Sequence, residues 1–181
     1  MTETRKLQCK CGETQWKVEF TPRPTHLACY CSDCQAYVNH LGQGDGYLNA
    51  AGGTELLQTV PSALRFIRGA ENLRLLRLTS KGLFRWYSGC CNTPVANTLK
   101  SPGFPFVGLV LPSGAEGFGP LEAEVMTKSA KVPVKEHGFN ATGFGILRRG
   151  LMAKLTGRGR SPFFDDAGKP IVAPMIVSEG R

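Results

Sequence analysis

Seven cysteines stand in three groups along the chain: Cys9 and Cys11, then Cys29, Cys31 and Cys34, then Cys90 and Cys91. Thiols at such short spacings converge on a metal ion. Zinc takes four protein ligands where its task is structural, and three where one position must stay open for chemistry. Two, three and two cysteines therefore supply one closed site and one open site, with one or two zinc ions per chain. The closed site requires the first and last pairs to meet across a long stretch of sequence. Gly12 follows the first pair and gives its turn the backbone freedom that two ligands one residue apart need. The alternative is that these cysteines are buried and unpaired. In the middle group, Cys29, Cys31 and Cys34 can cap one face of a zinc ion. His26 and His40 are the nearby candidates for a fourth ligand; without them the position falls to water or to a substrate thiol, which an open zinc would hold as thiolate.

Short elements must position these groups. Gln15 to Phe20 alternates, with Trp16, Val18 and Phe20 on one side, as a half-buried strand does. Cys9 and Cys11 then lie on the turn leading into it. Cys29 to Cys34 begins a helical or turn segment running towards His40. Gly42 to Gly53 reads as a mobile loop; its glycines lack the third position and the strand-to-helix setting of a phosphate loop. Leu64 to Arg68, Leu73 to Thr79 and Leu83 to Tyr87 read as strands. Hairpin turns are predicted at Gly69 to Asn72 and at Ser80 to Gly82. Phe106 to Leu111 and Leu121 to Met126 are further strands, and Pro170 to Val177 is a short edge strand or a tail. Near the C-terminus, Phe144, Leu147, Leu151 and Leu155 fall at helical spacing, which predicts an amphipathic helix over Gly145 to Thr156 with that stripe as its apolar face.

With 181 residues, 41% hydrophobic and 20% charged, the chain can form an ordinary globular core. Its 22 glycines and 12 prolines favour short strands over long helices. No segment has the form of a signal peptide, and no apolar run approaches the roughly 20 residues that span a bilayer. A cytoplasmic location without membrane association follows as the expectation, and there thiols persist as metal ligands rather than disulfides. The net charge of +8 is densest at Arg148, Arg149, Lys154, Arg158 and Arg160. Such a surface suits nucleic acid, acidic lipid or a dianionic small substrate, or is simply solvated.

Cys9-Lys10-Cys11-Gly12, Cys29 to Cys34 with Ser32-Asp33 inside, and Cys91-Asn92-Thr93-Pro94 together resemble the glutathione-dependent formaldehyde-activating enzyme (GFA) family, over about Leu7 to Leu111. The resemblance implies a mainly β, tent-like fold of small antiparallel sheets stapled by zinc. It implies a structural zinc at Cys9, Cys11 and Cys91, and a catalytic zinc at Cys29, Cys31 and Cys34. It further implies glutathione or a similar small thiol as partner, and formaldehyde addition to give S-hydroxymethylglutathione. The third motif departs from the family's C-x-x-C-G-T-P: Ser88 stands at the first cysteine, Asn92 at the glycine, and Cys90 is extra. Neutral serine is a poor zinc ligand. Three versions stay open: Cys90 replaces the missing ligand, three cysteines act with another group, or the site is empty.

The expected organisation is a zinc-binding region over residues 1–138 and a basic C-terminal extension over 139–181 that carries the helix. The expected function is a zinc-dependent carbon–sulfur lyase acting on a thiol–aldehyde adduct, with Cys29, Cys31 and Cys34 as its catalytic site. Arg85, Arg148 and Arg149 are candidates to hold substrate carboxylates. The alternative is a non-catalytic zinc module binding protein or nucleic acid through its basic face, although the aromatics do not interleave with the basic residues as in single-strand binders. A third reading is redox or metal sensing by the Cys90-Cys91 pair.

Overall fold

Two sheets of unequal size carry the chain, as seen in a computed structural model that describes residues 3–177. The small sheet is antiparallel, with β1 (Thr4–Gln8), β2 (Gln15–Glu19) and β5 (Leu64–Arg68) in the order β1-β2-β5. The large sheet contains β3 (Thr25–Cys29), β4 (Thr54–Thr59), β6 (Leu73–Arg77), β7 (Phe84–Ser88), β8 (Thr93–Thr98), β9 (Val107–Val110), β10 (Ala123–Val125) and β11 (Met175–Ile176). Its order is β10-β3-β4-β9-β8-β7-β6-β11. The outermost pairings, β10 with β3 and β11 with β6, are parallel, and the inner ones are antiparallel. Three α-helices complete the described residues: α1 (Ser32–His40), the single turn α2 (Gly44–Tyr47) and α3 (Phe139–Leu155). The fold is mainly β, as expected. No described helix is long and apolar enough to cross a membrane.

The main core lies between the sheets. Trp16 and Val18 of β2 pack with Leu57, Trp86 and Leu109 of the large sheet, and Phe163 closes against Trp86. The period-two pattern read in β2 is thus the pattern of a strand with one face on the core. The register of the large sheet sends the intervening residues to its other face. There Arg85 pairs with Asn97, Asn97 with Gly108, Gly108 with Gln58, and Gln58 with Thr25, forming one row across neighbouring strands. This second face is covered by α1, through Tyr37, Val38 and Leu41 against Leu76 and Val110, and by α3.

Three sequence expectations change here. The turn at Gly69 to Asn72 does not close a hairpin: β5 joins β2 in the small sheet while β6 joins β7 in the large one. Residues Gly42 to Gly53 hold α2 and a turn fixed by Asn49, whose Oδ1 accepts from the amides of Ala51 and Gly53 at 3.0 and 2.8 Å. The C-terminal helix begins earlier than predicted, and its faces are inverted. Phe144, Leu147, Leu151 and Leu155 are exposed, whereas Thr142, Arg149, Gly150 and Ala153 are buried. Small residues let α3 pack closely on its neighbours; a Cβ on Gly150 would collide with the Phe104 ring in the loop between β8 and β9. Arg149 then reaches Gln58 Oε1, Thr25 Oγ1 and the Arg23 carbonyl, so both terminal nitrogens of its guanidinium are hydrogen-bonded although buried, while Nε has no partner.

Candidate metal centres

The first centre forms where two turns meet. The β1–β2 turn carries Cys9 and Cys11, and Gly12 uses its backbone freedom to take a positive φ of +78°. The β7–β8 turn carries Cys90 and Cys91. Asn92 follows with φ +54°, a conformation asparagine tolerates better than most residues, so it does the work of a glycine there. The Lys10 amide donates to Thr93 Oγ1 at 2.9 Å and ties the two turns together.

All four sulfurs lie within 4.8 Å of one another. Cys11 and Cys90 are 3.1 Å apart, Cys9 and Cys11 3.5 Å, Cys9 and Cys90 3.7 Å, and Cys90 and Cys91 3.8 Å. Zinc–sulfur bonds of about 2.3 Å arranged tetrahedrally place sulfurs about 3.8 Å apart, so the donor set fits a closed zinc site. The turn therefore points adjacent residues Cys90 and Cys91 into one cluster. Ser88 lies outside it: its Oγ shares a hydrogen bond with Thr14 Oγ1 at 2.6 Å and sits 3.1 Å from Cys90 Sγ. Burial disfavours the Cys9 thiolate, but the Thr14 amide and the neighbouring thiols outweigh it and lower Cys9 to about 6. The Glu13 amide favours ionisation of Cys11, yet sharing protons with Cys90 and Cys9 raises that thiol to about 12.

The second centre is built by the end of β3 and the start of α1. Cys29 is the last residue of β3, Cys31 is the N-cap of α1, and Cys34 lies in its first turn. Cys31 Sγ accepts from the Cys34 amide at 3.4 Å, where the positive end of the helix favours a thiolate. Cys29 donates to Cys31 across 3.4 Å, and the three sulfurs lie within 4.8 Å of one another. Hydrogen bonds from Cys29 and then Cys34 draw Cys31 far below the ordinary thiol range, while the bond to Cys31 pushes Cys29 up. Arg85, almost wholly buried, places Nη1 3.6 Å from Cys34 Sγ. Burial opposes its charge, but Cys34 and Cys31 hold its pKa above the ordinary value.

Among the described residues no histidine joins this trio. His26 is held by the Gly119 carbonyl and Glu55 Oε2 at 3.0 and 3.1 Å. His40 is at the far end of α1. The three thiols instead border a cavity of about 280 Å³ between the second face of the large sheet and α3. Of the arginines proposed to hold substrate carboxylates, the structure brings only Arg85 to the trio. Arg149 is turned to Gln58 and Thr25, and Arg148 is exposed. The cavity, and the row Arg85–Asn97–Gly108–Gln58 on its floor, were missed from sequence; only the period-two spacing of Arg85 with its strand neighbours hinted at a common face.

Together these features define a mainly β protein with two thiol clusters that could each hold a metal ion. The chain belongs to the DUF6151 family, a family of unknown function whose model matches residues 1–173. A Rhodobacter sphaeroides protein of known crystal structure is similar over 65% of this chain and 97% of its own, at 22% identity and a TM-score of 0.42. Among curated proteins no sequence matches.

Proposed function

We propose that this protein is a zinc-dependent carbon–sulfur lyase acting on a thiol–aldehyde adduct, with one structural zinc at Cys9, Cys11, Cys90 and Cys91 and one catalytic zinc at Cys29, Cys31 and Cys34. The observation that carries the reading is the trio of thiols, with no fourth ligand among the described residues, at the edge of a cavity. Resemblance of the cysteine motifs to the GFA family supplies the reaction class. A zinc ion at the trio would offer an open Lewis-acid position that favours the thiolate form of a substrate.

The chain's own groups suit such a reaction. Splitting an S-hydroxymethyl adduct breaks the carbon–sulfur bond and leaves its electron pair on sulfur. The hydroxyl gives its proton to water, and the carbon–oxygen bond becomes a carbonyl. Negative charge therefore gathers at sulfur, where the Arg85 guanidinium lies 3.6 Å from Cys34 Sγ in a water-poor setting that strengthens its field. Addition of a thiol to the aldehyde is the same step reversed.

Zinc-loaded protein is expected to accelerate exchange between formaldehyde and its adduct with a small thiol, followed by exchange NMR with ¹³C-formaldehyde. The acceleration should exceed that of the same zinc concentration in buffer. Unchanged exchange with both glutathione and an apolar thiol at saturating concentration would contradict the lyase reading.

A further inference from the structure

We infer that the thiol taken by this centre carries an apolar carbon tail rather than a charged peptide, and that the tail lies in the cavity under α3. The inference rests on the trio being a thiol-binding metal centre and narrows what that centre accepts. Leu27, Leu56, Leu83, Phe106, Phe139 and Ile146 line the cavity, whose open wall is almost entirely apolar. Arg85 is the single charged side chain among the lining residues apart from the cysteines themselves, and it already faces Cys34. Gln58 is committed at both ends, with Oε1 accepting from Arg149 and Nε2 donating to the Thr59 carbonyl. Glutathione carries two carboxylates and an ammonium group. Placed here they would meet one guanidinium, already turned to Cys34, and no acidic side chain, and would lose more water than this wall replaces, which disfavours binding.

A buried glycine points to a space kept for a ligand. Gly108 sits inside β9 on the cavity floor, where glycine weakens a strand. Its φ is not positive, and a Cβ added there would meet nothing within 4 Å. Neither backbone conformation nor a crowded neighbour demands glycine; a side chain would simply fill the cavity. Gly143 of α3, an exposed residue, lines the rim of the same cavity with room for a larger side chain.

The polar requirement is equally specific. Asn97 is 2% exposed, and its Oδ1 has no hydrogen-bond partner. It pairs across the sheet with Arg85 on one side and Gly108 on the other. Asn97 lines the cavity, so a small turn of its side chain would let this unpaired oxygen take a donor from the ligand. The hydroxyl on the carbon next to sulfur, which every thiol–aldehyde adduct carries, supplies one. Sulfur lies at the trio, hydroxyl at Asn97 and apolar tail along the leucines and phenylalanines.

Calorimetric titration of zinc-loaded protein, with a phosphine reductant present, tests this without relying on turnover. The probes are benzyl mercaptan, benzyl alcohol and glutathione. Benzyl mercaptan is expected to bind at least about tenfold more tightly than glutathione, from burial of its ring. Gly108→Val should weaken benzyl mercaptan by about tenfold, with zinc content unchanged. Should that variant fail to fold, Gly143→Leu closes the cavity from the helix side with the same expected loss. Glutathione binding as tightly as benzyl mercaptan would overturn the apolar tail and leave the thiol-binding metal centre standing. Benzyl alcohol binding as tightly as the mercaptan would overturn the placement of sulfur, and the metal-centre reading with it. No binding by either benzyl compound would overturn the inference.

Discussion

Alanine at Cys90 is expected to unfold the protein as fully as alanine at Cys9 or Cys11. Cys90 Sγ lies 3.1 Å from Cys11 and 3.7 Å from Cys9, so it occupies the corner that completes the four-thiol cluster. That cluster joins the turn of the small sheet to a turn of the large one across 81 residues. Structural zinc contributes about 10–16 kcal/mol in zinc-finger peptides, as much as the whole stability of about 5–15 kcal/mol of an ordinary domain. Losing one of four thiolates removes most of that contribution. Ser88→Ala is the control, because Ser88 only hydrogen-bonds Thr14 and Cys90. It should cost about 1–3 kcal/mol, as removal of one partner from a buried hydrogen bond does. Soluble yield and thermal unfolding separate the two. A Cys90→Ala protein that melts like wild type, or a Ser88→Ala protein that does not fold, would place the fourth ligand elsewhere.

Alanine at Cys34 should have a different signature: the fold stands, one metal is lost, and turnover falls to the uncatalysed rate. Cys34 is buried at the start of α1, but the trio spans only the end of β3 and the adjoining helix turn. The sheets do not depend on it for their connection. The expected loss of stability is about 1–3 kcal/mol, from the lost packing and from Arg85 losing a partner for its buried charge. Cys29→Ala should behave alike, and unfolding titrations beside metal analysis measure both effects. Collapse comparable to that of Cys9→Ala would make both clusters structural. Full turnover without the second metal would remove the trio from the chemistry.

The sequence revealed residues whose local pattern reports their environment. Gln15 to Glu19 alternates because one of its faces meets the core, and Leu64–Arg68 was read with its observed bounds. The segment from Cys29 towards His40 was read as helical or a turn, and α1 forms its part from Ser32 to His40. The central strands were harder. β4 and β8 were missed; β8 is buried along its whole length, so it shows no alternation, and Pro94 sits beside an irregularity in its pairing with β7. The face of α3 was inverted because hydrophobicity marks Phe144 and Leu147, whereas close packing selected Gly150 and Ala153. The cysteine groups were legible from spacing alone. What spacing could not convey was that a tight turn ending in Asn92 aims both Cys90 and Cys91 at one point. Nor could it reveal the cavity beside the trio, which depends on strand register and on the placement of a distant helix.

The most direct test of a closed centre beside an open one is zinc content per chain, measured by elemental analysis before and after exposure to a chromogenic chelator. Four thiolates around one zinc leave no position for an incoming ligand, whereas three leave one. The expected result is close to two zinc ions per chain, one released rapidly with the fold intact and the other only as the protein unfolds. A single zinc per chain, or two released together at the rate of unfolding, would contradict it.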